Sequence, residues 1–242
     1  MTSANSFVAL AVSTFPNHVA GKQRSSYQRR PMPFSRGSTA TTAQETKVAI
    51  GISGWTGFAP LTLAKEAGMR YLHFGTEWIQ GGMRVSRPYA LELAYQQEMM
   101  APGLFLPEPR RIVQLGLGAA ALTKFCYRNV PSADVLVVEL SQEVIDAARG
   151  WFLLPDDDAR LTVVHEDAKD FIAHPKQRGR ADWLQVDLYD KHARGPVYDD
   201  VEFYRICRVA LSRPGVACFN LFGRRFDPSF ERICTERPRS TR

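Results

Sequence analysis

From Arg111 to Leu221 the chain alternates short, nearly unbroken apolar runs with stretches whose apolar residues recur at helical spacing. The runs 111–117, Val135–Leu140, Leu161–His165, Trp183–Val186 and Val216–Leu221 predict strands. The intervening stretches, about 119–129, Gln142–Trp151, a short piece from Asp167 and about 199–211, predict helices. Strands that read as apolar on both faces, each separated from the next by a helix, predict a parallel sheet covered on both sides. Short right-handed crossovers make such a sheet doubly wound. The predicted fold class is α/β, a mostly parallel Rossmann-like domain over residues 89–222.

Ahead of that domain the pattern changes. Arg70–Arg84 alternates apolar and polar positions with Gly75 and Gly81-Gly82 as punctuation, which predicts a β-hairpin over 70–88. Tyr89–Met100 follows at helical spacing after Pro88, and Pro102-Gly103 ends it. Met1 to about Gln44 is rich in Ser, Thr, Arg and Pro without a sustained period, so 1–46 is expected to be disordered. Lys47–Gly68 reads as a short strand, a Gly/Trp turn and a short amphipathic helix, a preface over 47–69. Over about twenty residues that preface resembles the opening of periplasmic nitrate- and sulfonate-type binding proteins. Residues 223–242 read as an Arg-rich tail without strands.

Composition narrows the function classes. The net charge of +6 sits at the ends, +4 in residues 1–46 and +3 in 223–242, which leaves −1 in the middle. That distribution gives no basic groove, so nucleic acid is not an expected partner. Cys126, Cys207, Cys218 and Cys234 lie far apart, without CxxC or metal-ligand spacing, and read as free thiols suited to a reducing cytoplasm. No metal site is expected. No apolar run approaches the ~18 residues of a membrane span. Phe7–Phe15 lacks the preceding basic residue and following cleavage site of a secretory signal.

Chemistry concentrates at the carboxyl ends of the predicted strands. Gly116-x-Gly118, after the first strand, is a turn bare enough for backbone to approach a ligand, with Ala120 in place of a third glycine. Glu139 stands 23 positions after Gly116 at the end of the next strand, where an acid can accept both ribose hydroxyls. Asp167, after the third strand, is placed to accept from an adenine amino group. Both acids also fit a plainer role as helix caps. The turn contains no Lys or Arg, which suits an adenosyl ligand poor in phosphate, an S-adenosyl compound rather than NAD. Asp187 and Asp190, three apart in Asp187-Leu188-Tyr189-Asp190, form an anionic pocket for a cation, or an Asx turn.

Residues 70–223 resemble the polyamine aminopropyltransferases, the spermidine synthase family. The matching pieces include Gln80, the Tyr95 helix with Met99-Met100, Leu104-Phe105-Leu106, Gly116/Gly118, Val138-Glu139-Leu140, Asp167-Ala168, Asp187-x-Tyr189-Asp190 and Gly195-Pro196 before Glu202-Phe203-Tyr204. The resemblance implies decarboxylated S-adenosylmethionine as co-substrate and a diamine such as putrescine as acceptor; the oligomeric state stays open, with a homodimer one option. Asp187 would then be the catalytic acid that relieves the amine of its proton. Glu139 would hold the ribose, and Asp167 with Ala168 the adenine. Asp190 with Tyr189 would hold the diamine, and Gln80 would line the aminopropyl side. The sequence departs from the family at Ala119, where an acid holds the cofactor's amino group, and at Tyr95-Gln96 for a Tyr-His pair. Leu91-Glu92 stands for the family's Asp-Glu pair, and the sheet's last strands are missing after Leu221. The departures keep two alternatives open: methyl transfer from intact S-adenosylmethionine, and a truncated or fused non-catalytic nucleoside-binding relative.

Overall fold

A computed structural model describes residues 7–14, 61–75, 79–189, 196–222 and 228–235. Nine strands and six α-helices follow one another among these residues. They are β1 (Phe7–Thr14), β2 (Leu61–Glu66), β3 (Met69–Phe74), β4 (Gly81–Arg84), α1 (Ala94–Glu98), β5 (Arg111–Leu115) and α2 (Ala121–Asn129). Then come β6 (Asp134–Glu139), α3 (Gln142–Gly150), β7 (Leu161–His165), α4 (Ala168–Ala173), β8 (Ala181–Val186), α5 (Val201–Ala210), β9 (Leu211–Phe222) and α6 (Pro228–Thr235).

Six strands form one sheet in the order β1-β9-β8-β5-β6-β7, and every pairing in it is parallel. Strand alternation sends side chains to two cores. Ile112, Val135, Val137 and Leu161 pack with Cys126 of α2 and Val144, Ala147 and Ala148 of α3. On the other face, Val113, Leu115, Leu184 and Phe219 pack with Phe171 of α4, Phe203 and Cys207 of α5 and Ile233 of α6. From β5 the chain winds outward through β6 to β7, then returns across β5 to lay down β8 and β9. The reversal falls between β5 and β8, which opens a crevice at their carboxyl ends.

The five expected strands are all present, and the fold is the doubly wound α/β class. Two local expectations are corrected. Phe7–Thr14, inside the segment expected to be disordered, is strand β1, paired in register with β9 from Phe7–Gly215 to Thr14–Phe222. Leu61–Glu66, expected as part of a helix, is β2 and turns the hairpin of β3 and β4 into a three-stranded antiparallel sheet. Its Leu61 and Leu63 are both buried, a period of two rather than 3.6. The basic tail contains α6, whose buried Ser229 and Ile233 are four residues apart, one helical turn. The expected strand of the 47–69 preface lies outside the described residues. Cys126, Cys207 and Cys218 are free and buried.

Candidate active site

The site begins at the turn after β5. Gly116 has φ +96° and Gly118 φ +50°, a region that side chains other than glycine's enter at a cost. Space forbids a side chain as well: a Cβ on Gly116 would stand 2.2 Å from the Asp187 carbonyl oxygen. A Cβ on Gly118 would come 3.2 Å from the Gln80 carbonyl oxygen, and one on Gly81 would lie 2.6 Å from the Ala119 Cβ. The turn is therefore pressed, backbone against backbone, between the β4 hairpin and the Asp187 loop. Gln80 is brought beside it, and Ala119 is buried by the hairpin.

Helix α2 leaves this turn without a side-chain cap, its N-cap Ala120 sitting at φ +55°. The other parallel-sheet helices differ: Ser141, Asp167 and Asp200 cap α3, α4 and α5 with side-chain oxygens. The α2 N-terminus thus offers backbone N–H groups to a ligand at the crevice.

Glu139 closes β6 and fastens the turn. One carboxylate oxygen accepts the Leu117 N–H at 3.0 Å and the other the Ser141 N–H at 3.0 Å. Burial raises its carboxyl above the ordinary range, while backbone N–H groups that favour the charged form oppose the rise. Asp167 caps α4, accepting the Lys169 and Asp170 N–H groups at 2.8 and 3.1 Å, and its second oxygen accepts the Tyr198 hydroxyl at 2.5 Å. Ala168 is the buried first residue of α4. His165 meets the Leu140 carbonyl oxygen at 2.9 Å, and the Trp183 indole donates to the Leu106 carbonyl oxygen at 2.8 Å, which makes both structural.

Asp187 follows β8 directly, its N–H donating to the Leu115 carbonyl oxygen at 2.9 Å. The side chain is half-buried in the crevice and accepts the Asn220 amide at 2.7 Å and the Tyr95 hydroxyl. Burial pushes its carboxyl up to about 6, against those two hydrogen bonds, which lower it. The same neighbourhood holds the Tyr95 phenol well above its ordinary value, burial being the main cause and the Asp187 charge the next. The Tyr189 hydroxyl donates to the Asn220 carbonyl oxygen at 3.0 Å. Asp190 lies outside the described residues.

Gly116, Gly118, Gln80, Glu139 and Asp187 thus surround one turn, Tyr189 joins them through Asn220, and Asp167 stands one strand further along. Tyr95, Asn220 and Tyr198 are additions that the strand-end acids alone did not indicate. Asn220 carried a usable signal, being a polar residue at the carboxyl end of an otherwise apolar strand. Among the described residues no three His, Cys, Asp or Glu side chains cluster as metal ligands would.

A reversal of strand order between a glycine turn and an acidic loop, with an uncapped helix N-terminus beside them, marks the ligand crevice of a doubly wound α/β protein. No family model matches the chain. The polyamine aminopropyltransferase of Chromobacterium violaceum is 31% identical over 173 residues, 71% of this chain and 66% of that protein. That of Neisseria meningitidis serogroup A is 28% identical over 181 residues, 74% of this chain and 68% of that protein. A crystal structure of a probable spermidine synthase from Corynebacterium glutamicum superposes with a TM-score of 0.57 at 23% identity, covering 69% of this chain and 61% of that one. The chain belongs to the polyamine aminopropyltransferase family, and it spans about two thirds of the length of these curated relatives.

Proposed function

We propose that the chain transfers an aminopropyl group from decarboxylated S-adenosylmethionine to a diamine such as putrescine. The observation that carries the reading is Asp187, a half-buried carboxyl raised to about 6 and set against the glycine turn of an adenosyl-type site. The amine nitrogen attacks the aminopropyl carbon next to the sulfonium. A C–N bond forms, the C–S bond breaks, its electron pair neutralises sulfur, and methylthioadenosine leaves. Asp187 takes the proton from the attacking nitrogen. A raised carboxyl is a better base than an ordinary one yet still ionised at neutral pH, and such a base contributes about 10²–10⁴-fold. Alignment of the two substrates supplies much of the remainder.

The other roles follow the same reading. The turn of Gly116 and Gly118 takes the nucleoside against the N-terminus of α2, Glu139 accepts from the ribose, and Asp167 with Ala168 receives the adenine. Gln80 lines the aminopropyl side, and Tyr189 with Asp190 holds the far end of the diamine. A cytoplasmic location suits the free thiols. Among the described residues no helix is long and apolar enough to cross a membrane. A homodimer completes the proposal.

Incubating the protein with putrescine and either decarboxylated or intact S-adenosylmethionine tests this. Spermidine and methylthioadenosine should form from the decarboxylated donor. Methylated product from the intact donor, with none from the decarboxylated one, would overturn the proposal.

A further inference from the structure

Two buried amides stand where a parallel sheet ordinarily carries aliphatic side chains. Gln114 in β5 and Gln185 in β8 are 2% and 1% exposed and face each other in register. An amide left unsatisfied in such a place is costly, so the destination of each polar atom matters. The Thr123 hydroxyl of α2 donates to the Gln114 oxygen at 2.7 Å, and the Gln114 amide donates to the Gln185 oxygen at 2.7 Å. The Gln185 amide then leaves the sheet and donates to the Met99 carbonyl oxygen at 2.6 Å, just past the end of α1.

That last bond connects two parts of the site. Gln185 lies two residues before Asp187 on the same strand face. Met99 lies one helical turn after Tyr95, and its N–H donates to the Tyr95 carbonyl oxygen at 2.8 Å. The fully buried Met99 also sets its sulfur 3.6 Å from the thiol of Cys218, two residues before Asn220. Helix α1 has only five residues and too few intrahelical bonds to hold its place unaided. Its end is held by the sheet.

We infer that Gln185 is a positioning residue, which docks the end of α1 on the sheet through the Met99 carbonyl and thereby keeps the Tyr95 hydroxyl on Asp187. The inference rests on the reading of Asp187 as the base for its consequence in turnover, but the contact itself has a separate readout. Among the described residues, Tyr95 and Glu98 on α1, Tyr189 in the loop after β8 and Cys218 on β9 are titratable groups near this pair.

The test is a double-mutant cycle of Gln185→Leu with Tyr95→Phe, read by steady-state kinetics, methylthioadenosine binding and the Asp187 carboxyl titration by NMR. Gln114→Leu/Gln185→Leu runs beside it, because replacing both amides leaves no orphaned partner between them and protects the fold. Each Gln185 variant should lower kcat about tenfold with methylthioadenosine affinity within about twofold, and should cost nothing further in the Tyr95→Phe background. The Asp187 midpoint should move upward in the Gln185 variants, as it should in Tyr95→Phe. Equal losses with and without Tyr95, or an unmoved Asp187 midpoint, would overturn the inference. If the wild type itself fails to turn over the diamine, the functional reading falls and the titration alone decides the role of Gln185.

Discussion

Asp187 and Lys124 are both shifted by burial, and they are buried differently. Asp187 stands at the carboxyl end of the sheet, partly buried in the crevice, with two side-chain donors, Asn220 and Tyr95, aimed at it. Lys124, on α2, is 0% exposed and donates to the Phe152 carbonyl oxygen at 2.6 Å, with the Met83 sulfur 3.0 Å away. Burial drives Lys124 down to about 8, the nearby Arg70 charge adding to the drop. Arg70 itself stacks on Trp151, 4.7 Å from the ring centroid. Both sites hold shifted groups, yet only Asp187 keeps a face open to a substrate. A shifted pKa marks a place where charge is expensive, and access decides whether that place does chemistry. Lys124 is a strut that ties the helix after the glycine turn to β4 and to the end of α3.

The largest test of that contrast is Asp187→Asn. Turnover should fall about 10²–10⁴-fold. Because the folded carboxyl titrates above its unfolded value, the native state binds more protons between about pH 4 and 6 and loses stability as pH rises through that window. The Asn variant should therefore be as stable as wild type at neutral pH, or more so by up to about 2 kcal/mol, in denaturant melts. Gly116→Ala comes next, because its Cβ must displace the Asp187 carbonyl from 2.2 Å and accept φ +96°. Thermal melts should register a loss of about 2–4 kcal/mol. Gly81→Ala pushes on Ala119 from the hairpin side, so methylthioadenosine affinity by calorimetry should weaken about tenfold while the sheet stays folded.

Lys124→Met has the smallest expected effect and sharpens the comparison from the other side. The native state releases its proton near 8 and the unfolded chain near 10.5, so wild-type stability gains from this group as pH rises between those values. Denaturant melts should lose that gain in the variant. At pH 7 the relief of a buried charge is offset by an orphaned Phe152 carbonyl, leaving a change of about 1 kcal/mol. Turnover should not move.

The five strands β5 to β9 were legible because short, nearly unbroken apolar runs alternate with helical spacing, and the site acids because polar residues at the ends of such runs need a reason. Strand β1 was not legible: Val8–Val12 is a short apolar run whose partner begins at Gly215, and periodicity carries no information on pairing across that separation. Leu61–Glu66 misled because Leu61, Leu63 and Ala64 fit a short helix as well as an alternating strand, and its burial pattern is set by β3. In the site, Glu139 and Asp167 prove to be committed to backbone N–H groups, a dual use that spacing alone leaves open. Tyr95 was beyond reach from the strand pattern, since it comes from a helix outside the sheet and meets Asp187 only through the docking of Met99 on Gln185.

On the proposed reading, Asp187 is the base for an amine attacking an adenosyl sulfonium. The most direct measurement is the pH dependence of kcat/KM for putrescine with decarboxylated S-adenosylmethionine, wild type beside Asp187→Asn. The wild type should show an acid limb near pH 6, where the carboxyl titrates, and the Asn variant should be slower by about 10²–10⁴-fold without that limb. An Asn variant with wild-type rates and the same acid limb would contradict it.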